Sequence, residues 1–95
     1  MSDSLENLSD LELGMLLTCT LKLKHKLKHK LKQSSEKPCS LDADIGGVAH
    51  ASLVNDGGLY VAAASVMGAI VTKVAETPED AVEDLSRMLI KRIGG

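Results

Sequence analysis

Leu21-Lys22-Leu23-Lys24-His25-Lys26-Leu27-Lys28-His29-Lys30-Leu31-Lys32 places lysine at every even position and leucine or histidine at every odd one. Strict alternation is the period of a half-buried strand. As a strand, residues 18–32 would put Thr18, Thr20 and all six lysines on one face, with Cys19, the leucines and both histidines on the other. As a helix, the same letters make a different object. Leu23, Leu27 and Leu31 stack at i, i+4 and i+8; Lys22, Lys26 and Lys30 flank one side of that stripe, and Lys24 and Lys28 the other. Leucine and lysine are good helix formers, no β-branched residue follows Thr20 in the run, and a strand of this length is unusual. Helix is the expected form.

Toward the N-terminus the helical pattern continues. Ser9-Asp10-Leu11-Glu12 matches a capping box, in which serine and glutamate satisfy exposed amides reciprocally. Acids at the start and lysines at the end suit the helix dipole. Helical periodicity puts Leu5, Leu13, Leu16, Leu17, Thr20, Leu23, Leu27 and Leu31 on one face, so a helix is expected over residues 3–32. Gly14 interrupts it at a cost of about 1 kcal/mol relative to alanine, enough to place a bend there. The stripe formed by Leu13, Leu16, Leu17, Leu23, Leu27 and Leu31 is the expected partner or oligomer seam.

Toward the C-terminus, residues 33–40 read as a polar linker, with Pro38 ending any helix before it. Val48 to Val54 and Leu59 to Ala62 are β-prone and flank Asn55-Asp56-Gly57-Gly58, a hairpin signal. Gly46-Gly47 suggests a turn or bulge before the first run. Residues 63–76 are ambiguous: Ala62-Ala63-Ala64 favours helix, whereas Ile70-Val71-Thr72 and Val74 favour a strand at 69–75, with Gly68 as the turn before it. Thr77-Pro78-Glu79-Asp80 starts a helix: threonine caps, proline takes the first helical position and acids face the positive end. Ala81, Val82, Leu85, Met88, Leu89 and Ile93 line one side of it. The expected fold is α+β in the order α-β-β-β-α, with a three-stranded antiparallel sheet covered on one face by both helices. Residues 48–93 supply the hairpin, third strand and C-terminal helix.

The 95 residues suffice for one domain, 1–95, with a modest core. That core must be aliphatic, since Tyr60 is the only aromatic residue. The same scarcity argues against aromatic hot spots and base-stacking platforms. A small aliphatic core gains from association, so a homo-oligomer is expected. Charge is segregated: residues 1–14 are acidic, 22–32 carry six of the eleven Lys and Arg residues, and 38–95 are again acidic. The acidic start is unlike a secretory leader, and no apolar stretch has membrane-spanning length. A cytoplasmic setting with Cys19 and Cys39 both free is the expectation.

Among candidate sites, Lys22, Lys24, Lys26, Lys28, Lys30 and Lys32 can contact nucleic acid by phosphate neutralisation. The absence of arginine in the run argues against bidentate base readout. The same amphipathic helix can rest on a membrane surface. The plainer reading is a solvated face whose aliphatic stems shield the leucine seam and whose charges pair with the acidic blocks. His25 and His29, at i and i+4, share a face, but their neighbours are lysines and no third ligand is near in sequence. Such a pair can also serve as a proton switch. Cys39, His50, Asp42 and Asp44 include the residue types of a nucleophile, base and orienting group, without a recognisable nucleophile elbow. No cofactor motif is present. Arg92-Ile93-Gly94-Gly95 is similar to the tail of ubiquitin-like and sulfur-carrier proteins, which reach it through a strand, whereas helix capping accounts for these glycines here.

Asn55-Asp56-Gly57-Gly58, Tyr60-Val61-Ala62, Gly68, Thr72 and Thr77-Pro78-Glu79-Asp80-Ala81 together resemble the HicB-like antitoxin fold, itself similar to the double-stranded RNA-binding fold. In that family a strand pair precedes a glycine-containing third strand and a Thr-Pro-Glu-Glu-Ala helix start. The resemblance covers residues 48–93, about half of the chain. Met67 stands where the family has proline, Ala75-Glu76 replaces a Gly-Asp, the Gly68 to Thr77 spacing is longer than usual, and a DNA-binding module after the helix is not expected. It implies a non-enzymatic protein that occludes another protein and often oligomerises. The expected function is therefore a non-catalytic binding or regulatory protein acting by protein–protein contact. The alternative is a nucleic-acid-binding module built on Lys22 to Lys32.

Overall fold

The computed structural model describes residues 8–33 and 40–94. Helix α1 spans Asp10–Gln33, followed by strands β1 (Ser40–Ile45), β2 (Ala49–Asp56), β3 (Leu59–Val66) and β4 (Ala69–Ala75), then helix α2 (Pro78–Gly94). The alternating run is helical throughout. The capping box forms as the sequence predicts: Glu12 N–H donates to Ser9 Oγ at 3.2 Å, and Ser9 N–H donates to Glu12 Oε1 at 3.0 Å. Residues 3–7 of the expected helix, Leu5 included, lie outside the described residues, and the helix begins at Asp10. Gly14 falls within one continuous helix, with no neighbouring atom within 4 Å of where a Cβ would stand. At α2, Asp80 N–H donates to Thr77 Oγ1 at 3.1 Å, the cap expected from the sequence.

Among the described residues the sheet has four strands, not three, in a meander of order β1-β2-β3-β4, every pair antiparallel. The additional strand is β1. The expected linker 33–40 overlaps it at Ser40 and overlaps α1 at Gln33, while residues 34–39, with Pro38 and Cys39, lie outside the described residues. Gly46 and Gly47 turn the chain from β1 into β2 with φ of 52° and 79°, a region that admits glycine freely. Val48 N–H closes that turn on the Ile45 carbonyl at 2.9 Å. The Gly57-Gly58 turn joins β2 to β3 as predicted. Beyond it, β3 runs on through Ala62-Ala63-Ala64 to Val66, because pairing on both sides overrides the helical preference of alanine. Gly68 sits in the turn before β4 beside Met67, whose φ of 49° makes it the non-glycine residue at positive φ among the described residues.

One sheet face is built from small residues: Ala43, Ala49, Ala51, Ala62 and Ala64 are all buried, with Leu53, Tyr60, Val66 and Val71 around them. Both helices pack on this face and on each other, α1 mainly over β1 and β2, and α2 mainly over β3 and β4. Their large side chains supply the volume: Leu16, Leu23 and Leu27 from α1, and Val82, Leu85 and Leu89 from α2. Leu13, Leu16, Leu23 and Leu27 are thus core residues, while Leu17 and Leu31 are half-buried at its margin. The stripe expected to be a partner or oligomer seam packs against the chain's own sheet and second helix, because an alanine-lined sheet leaves a deficit of volume that only the helix leucines fill. Thr20, the buried polar residue of α1, is satisfied by donating to the Leu16 carbonyl at 2.8 Å.

Leu21 and Leu23 would share a face on a strand, but on α1 Leu21 is 44% exposed and Leu23 fully buried. Leu23→Ala should therefore cost about 2–5 kcal/mol, and Leu21→Ala about 0.5 kcal/mol or less. Urea unfolding of the two variants checks this, and equal costs would contradict the helix phase.

Candidate functional site

Rotation of α1 sorts the lysines. Lys24 turns toward α2, where its Nζ meets Glu83 Oε1 at 2.6 Å, with both side chains about a third exposed. Lys28 lines the same shallow groove, together with Glu79 and Asp80 from the first turn of α2. Glu83 also receives Arg87 Nε at 3.3 Å, one turn further along. The hydrogen bond and charge of Lys24 hold the Glu83 carboxyl below its ordinary 4.5, with a smaller contribution from Arg87. Part of the run is thus spent on joining the two helices, as the segregated charge blocks anticipate.

Lys22, Lys26 and Lys30 turn the other way, toward the β1 edge of the sheet. Between that row and β1 lies an open cleft of about 560 Å³, lined by Thr18, Leu21, Lys22, His25, Lys26, Ala43 and Asp44. It continues past His29 and Lys30 to Leu41. Lys26 spans it and donates from Nζ to the Asp42 carbonyl at 2.8 Å. The cleft is therefore apolar at Leu21 and Ala43, with Lys22 and Lys26 along its helix wall and Asp44 on its strand side. His25 and His29 are exposed on this wall, and His29 Nε2 lies 3.2 Å from Gln33 Nε2. No cluster of three metal-ligating side chains occurs among the described residues. Beneath the wall, burial pushes the Cys19 thiol up, an effect that the nearby Lys22 opposes.

The second surface is the sheet face away from the helices. Residues of the opposite parity occupy it: Asp42 and Asp44 on β1, His50, Ser52 and Val54 on β2, Val61, Ala63 and Ser65 on β3, and Ile70, Thr72 and Val74 on β4. Val54, Val61 and Val74 fall in one cross-strand row, and Val54 and Val74 are about half exposed. Leu59 and Ile70 add further exposed apolar surface. Acids gather on the β1 side, where His50 Nε2 stands 3.9 Å from Asp42 Oδ2. Cys39, the fourth member of the residue set containing His50, Asp42 and Asp44, lies outside the described residues.

Sequence reasoning separated the two lysine rows but missed both surfaces that they and the sheet create. The signal for the open face was the alternation Asp42, Asp44 against Leu41, Ala43, Ile45, which marks a strand. No helix among the described residues is long and apolar enough to cross a membrane. Comparison with family models, with characterised proteins and with solved structures finds no match for this chain.

Because the Glu83 carboxyl titrates lower in the folded chain than in the unfolded one, its ion pair stabilises the fold above the ordinary carboxylate range, and that contribution is lost as pH falls through the lowered value. Glu83→Gln should flatten the acid side of the stability–pH curve below about pH 5. Chemical unfolding at a series of pH values reads this out, and an acid side as steep as in the parent protein would contradict the assignment.

Proposed function

We propose that this chain is a small non-catalytic binding protein that acts through protein–protein contact, in the manner of an antitoxin or inhibitor, and that it self-associates through the open face of its sheet. The observation that carries this reading is the cross-strand row Val54, Val61 and Val74, not covered by the described residues and continued by Leu59, with Ile70 exposed further along β4. A row of exposed aliphatic side chains on an otherwise polar sheet face is a candidate contact surface. Ala63 and Ser65 between the larger side chains keep the middle of the face low, so a second sheet can approach to the usual spacing of about 10 Å. A twofold axis along the strands sets the acidic β1 edge of one copy over the β4 edge of the other and keeps the carboxylates of the two copies apart.

Size limits the strength of such a contact. Four strands about 4.8 Å apart and some seven residues long present about 450 Å² each. Two copies then bury about 900 Å², well under the roughly 1,600 Å² of a standard stable interface. The dimer is therefore concentration-dependent. The resemblance to HicB-like antitoxins supports the same class of function: its carrying residues form the β2–β3 hairpin, the turn before β4 and the cap of α2. The nucleic-acid reading has one observation in its favour, the exposure of Lys22, Lys26, Lys28, Lys30 and Lys32 along one helix.

Light scattering across a concentration series should show a monomer–dimer equilibrium that Val54→Asp with Val74→Asp abolishes, while circular dichroism stays unchanged because both side chains are about half exposed. A parent protein that stays monomeric at high concentration would refute self-association. For the alternative, binding to duplex RNA or DNA should weaken with salt at a log–log slope of about −0.9 per phosphate neutralised. A flat response, or no binding, removes that reading.

A further inference from the structure

The β1 edge and the cleft beside it form a second surface that the open-face reading leaves unused. Strand β1 ends the sheet, so among the described residues the backbone groups on its outer side have no strand partner. Their direction follows from the turn. The Ile45 carbonyl accepts from Val48 N–H and so points inward across the hairpin. Alternation along an extended strand then turns the N–H and C=O groups of Asp44 and Asp42 outward. The Lys26 bond agrees, since its ammonium reaches the Asp42 carbonyl from the cleft side at 2.8 Å. Lys26 stands where the N–H of an added strand would donate.

We propose that this edge is a docking site for an extended segment of another protein, which adds antiparallel or parallel to β1 and lies in the cleft beneath α1. Alternate side chains of the added strand project to the two sides of the sheet. On the helix side they meet Ala43 and the exposed side chains Leu21 and Thr18 beside Lys22 and Lys26, a partly apolar wall with cations along it that takes aliphatic or carboxylate side chains. On the open side they lie beside Asp42 and Asp44, which take lysine or arginine. The segment thus alternates basic residues with apolar or acidic ones. Main-chain bonds to β1 supply affinity, and the two charge patterns supply register.

A second copy of this chain is the wrong occupant. Antiparallel pairing of β1 with its own copy would set Asp42 and Asp44 opposite carboxylates of the same face, and like charges directly opposed across strands are destabilising. The acids guard the edge against self-pairing and select basic side chains from a partner. This inference deepens the proposed protein-binding function, but it rests on the β1 edge and not on the open face, so dimerisation is measured separately by light scattering.

The probe is an acetylated, amidated heptapeptide, Glu-Lys-Val-Lys-Val-Lys-Glu, titrated into the full chain. Binding should slow exchange of the Asp42 and Asp44 amides by about tenfold or more at saturation. N-methylation of one alternate set of probe amides should weaken binding by about tenfold or more, and methylation of the other set by far less, because only one set faces β1. Leu21→Asp, on an exposed position, should weaken binding, whereas Asp44→Lys should reverse preference toward a probe with glutamate in place of lysine. No binding at about 1 mM probe, equal effects of the two methylation patterns, or unchanged exchange at Asp42 and Asp44 would each overturn the site. Loss of dimerisation in Val54→Asp with Val74→Asp, with probe binding intact, would separate the two surfaces.

Discussion

Everything in this molecule depends on a complementarity of size between its layers. The helix-facing side of the sheet is floored with Ala43, Ala49, Ala51, Ala62 and Ala64, and the helices answer with Leu16, Leu23, Leu27, Leu85 and Leu89. Neither layer fills the core alone. A small-residue floor lets the helices sit close, and close approach is what allows leucines, without help from Phe or Trp, to exclude water from a domain of this size. The cost falls on tolerance: larger side chains on the floor would overpack it, and smaller ones on the helices would leave cavities.

That packing fixes the rotation of α1, and the rotation decides what the lysines do. An alternating sequence wound on a helix does not give alternating faces. With leucines 23, 27 and 31 turned inward, the even positions divide into one row of Lys22, Lys26 and Lys30 and another of Lys24, Lys28 and Lys32, with Leu21, His25 and His29 outermost. One row reaches Glu83 on α2 through Lys24, and the other overhangs the sheet edge at β1. The charge of the run is therefore partitioned by the core, and its two halves have different work: Lys24 ties helix to helix, while Lys26 holds an outward carbonyl of an edge strand.

The elements with strong local codes were legible in the sequence: both helix caps, the Gly57-Gly58 hairpin, the strand over 69–75 and α2. The strand β1 was not. Ser-Leu-Asp-Ala-Asp-Ile carries two aspartates, has one β-branched residue and is short, so local propensity gave no support. Its one local signal is the polar–apolar alternation, and what decides it is pairing with β2 and cover by α1, both long-range. The last part of β3 was ambiguous for the same reason, since Ala62-Ala63-Ala64 becomes strand only between two neighbours. For the lysines, angular position was readable and surroundings were not: the cleft needs β1 and the open face needs the register of all four strands. The leucine stripe was correctly found and assigned to the wrong neighbour, because periodicity shows that a face is buried but not what buries it.

The same missed strand gives the two surfaces their relation. Leu41, Ala43 and Ile45 face the helices, so Asp42 and Asp44 must face the open side, and β1 contributes apolar floor to one surface and acid to the other. A shift of one residue in the register of β1 would exchange them, burying two carboxylates under α1 and exposing the leucine and isoleucine. Burial of unpaired carboxylates is expensive enough to hold the register firmly. The inner face of β1 is thus constrained by the core, while its outer edge and its acids are set by nothing within the described fold except Lys26 and His50. An edge whose register is fixed from inside and whose chemistry is free outside is well suited to recognise a strand from elsewhere.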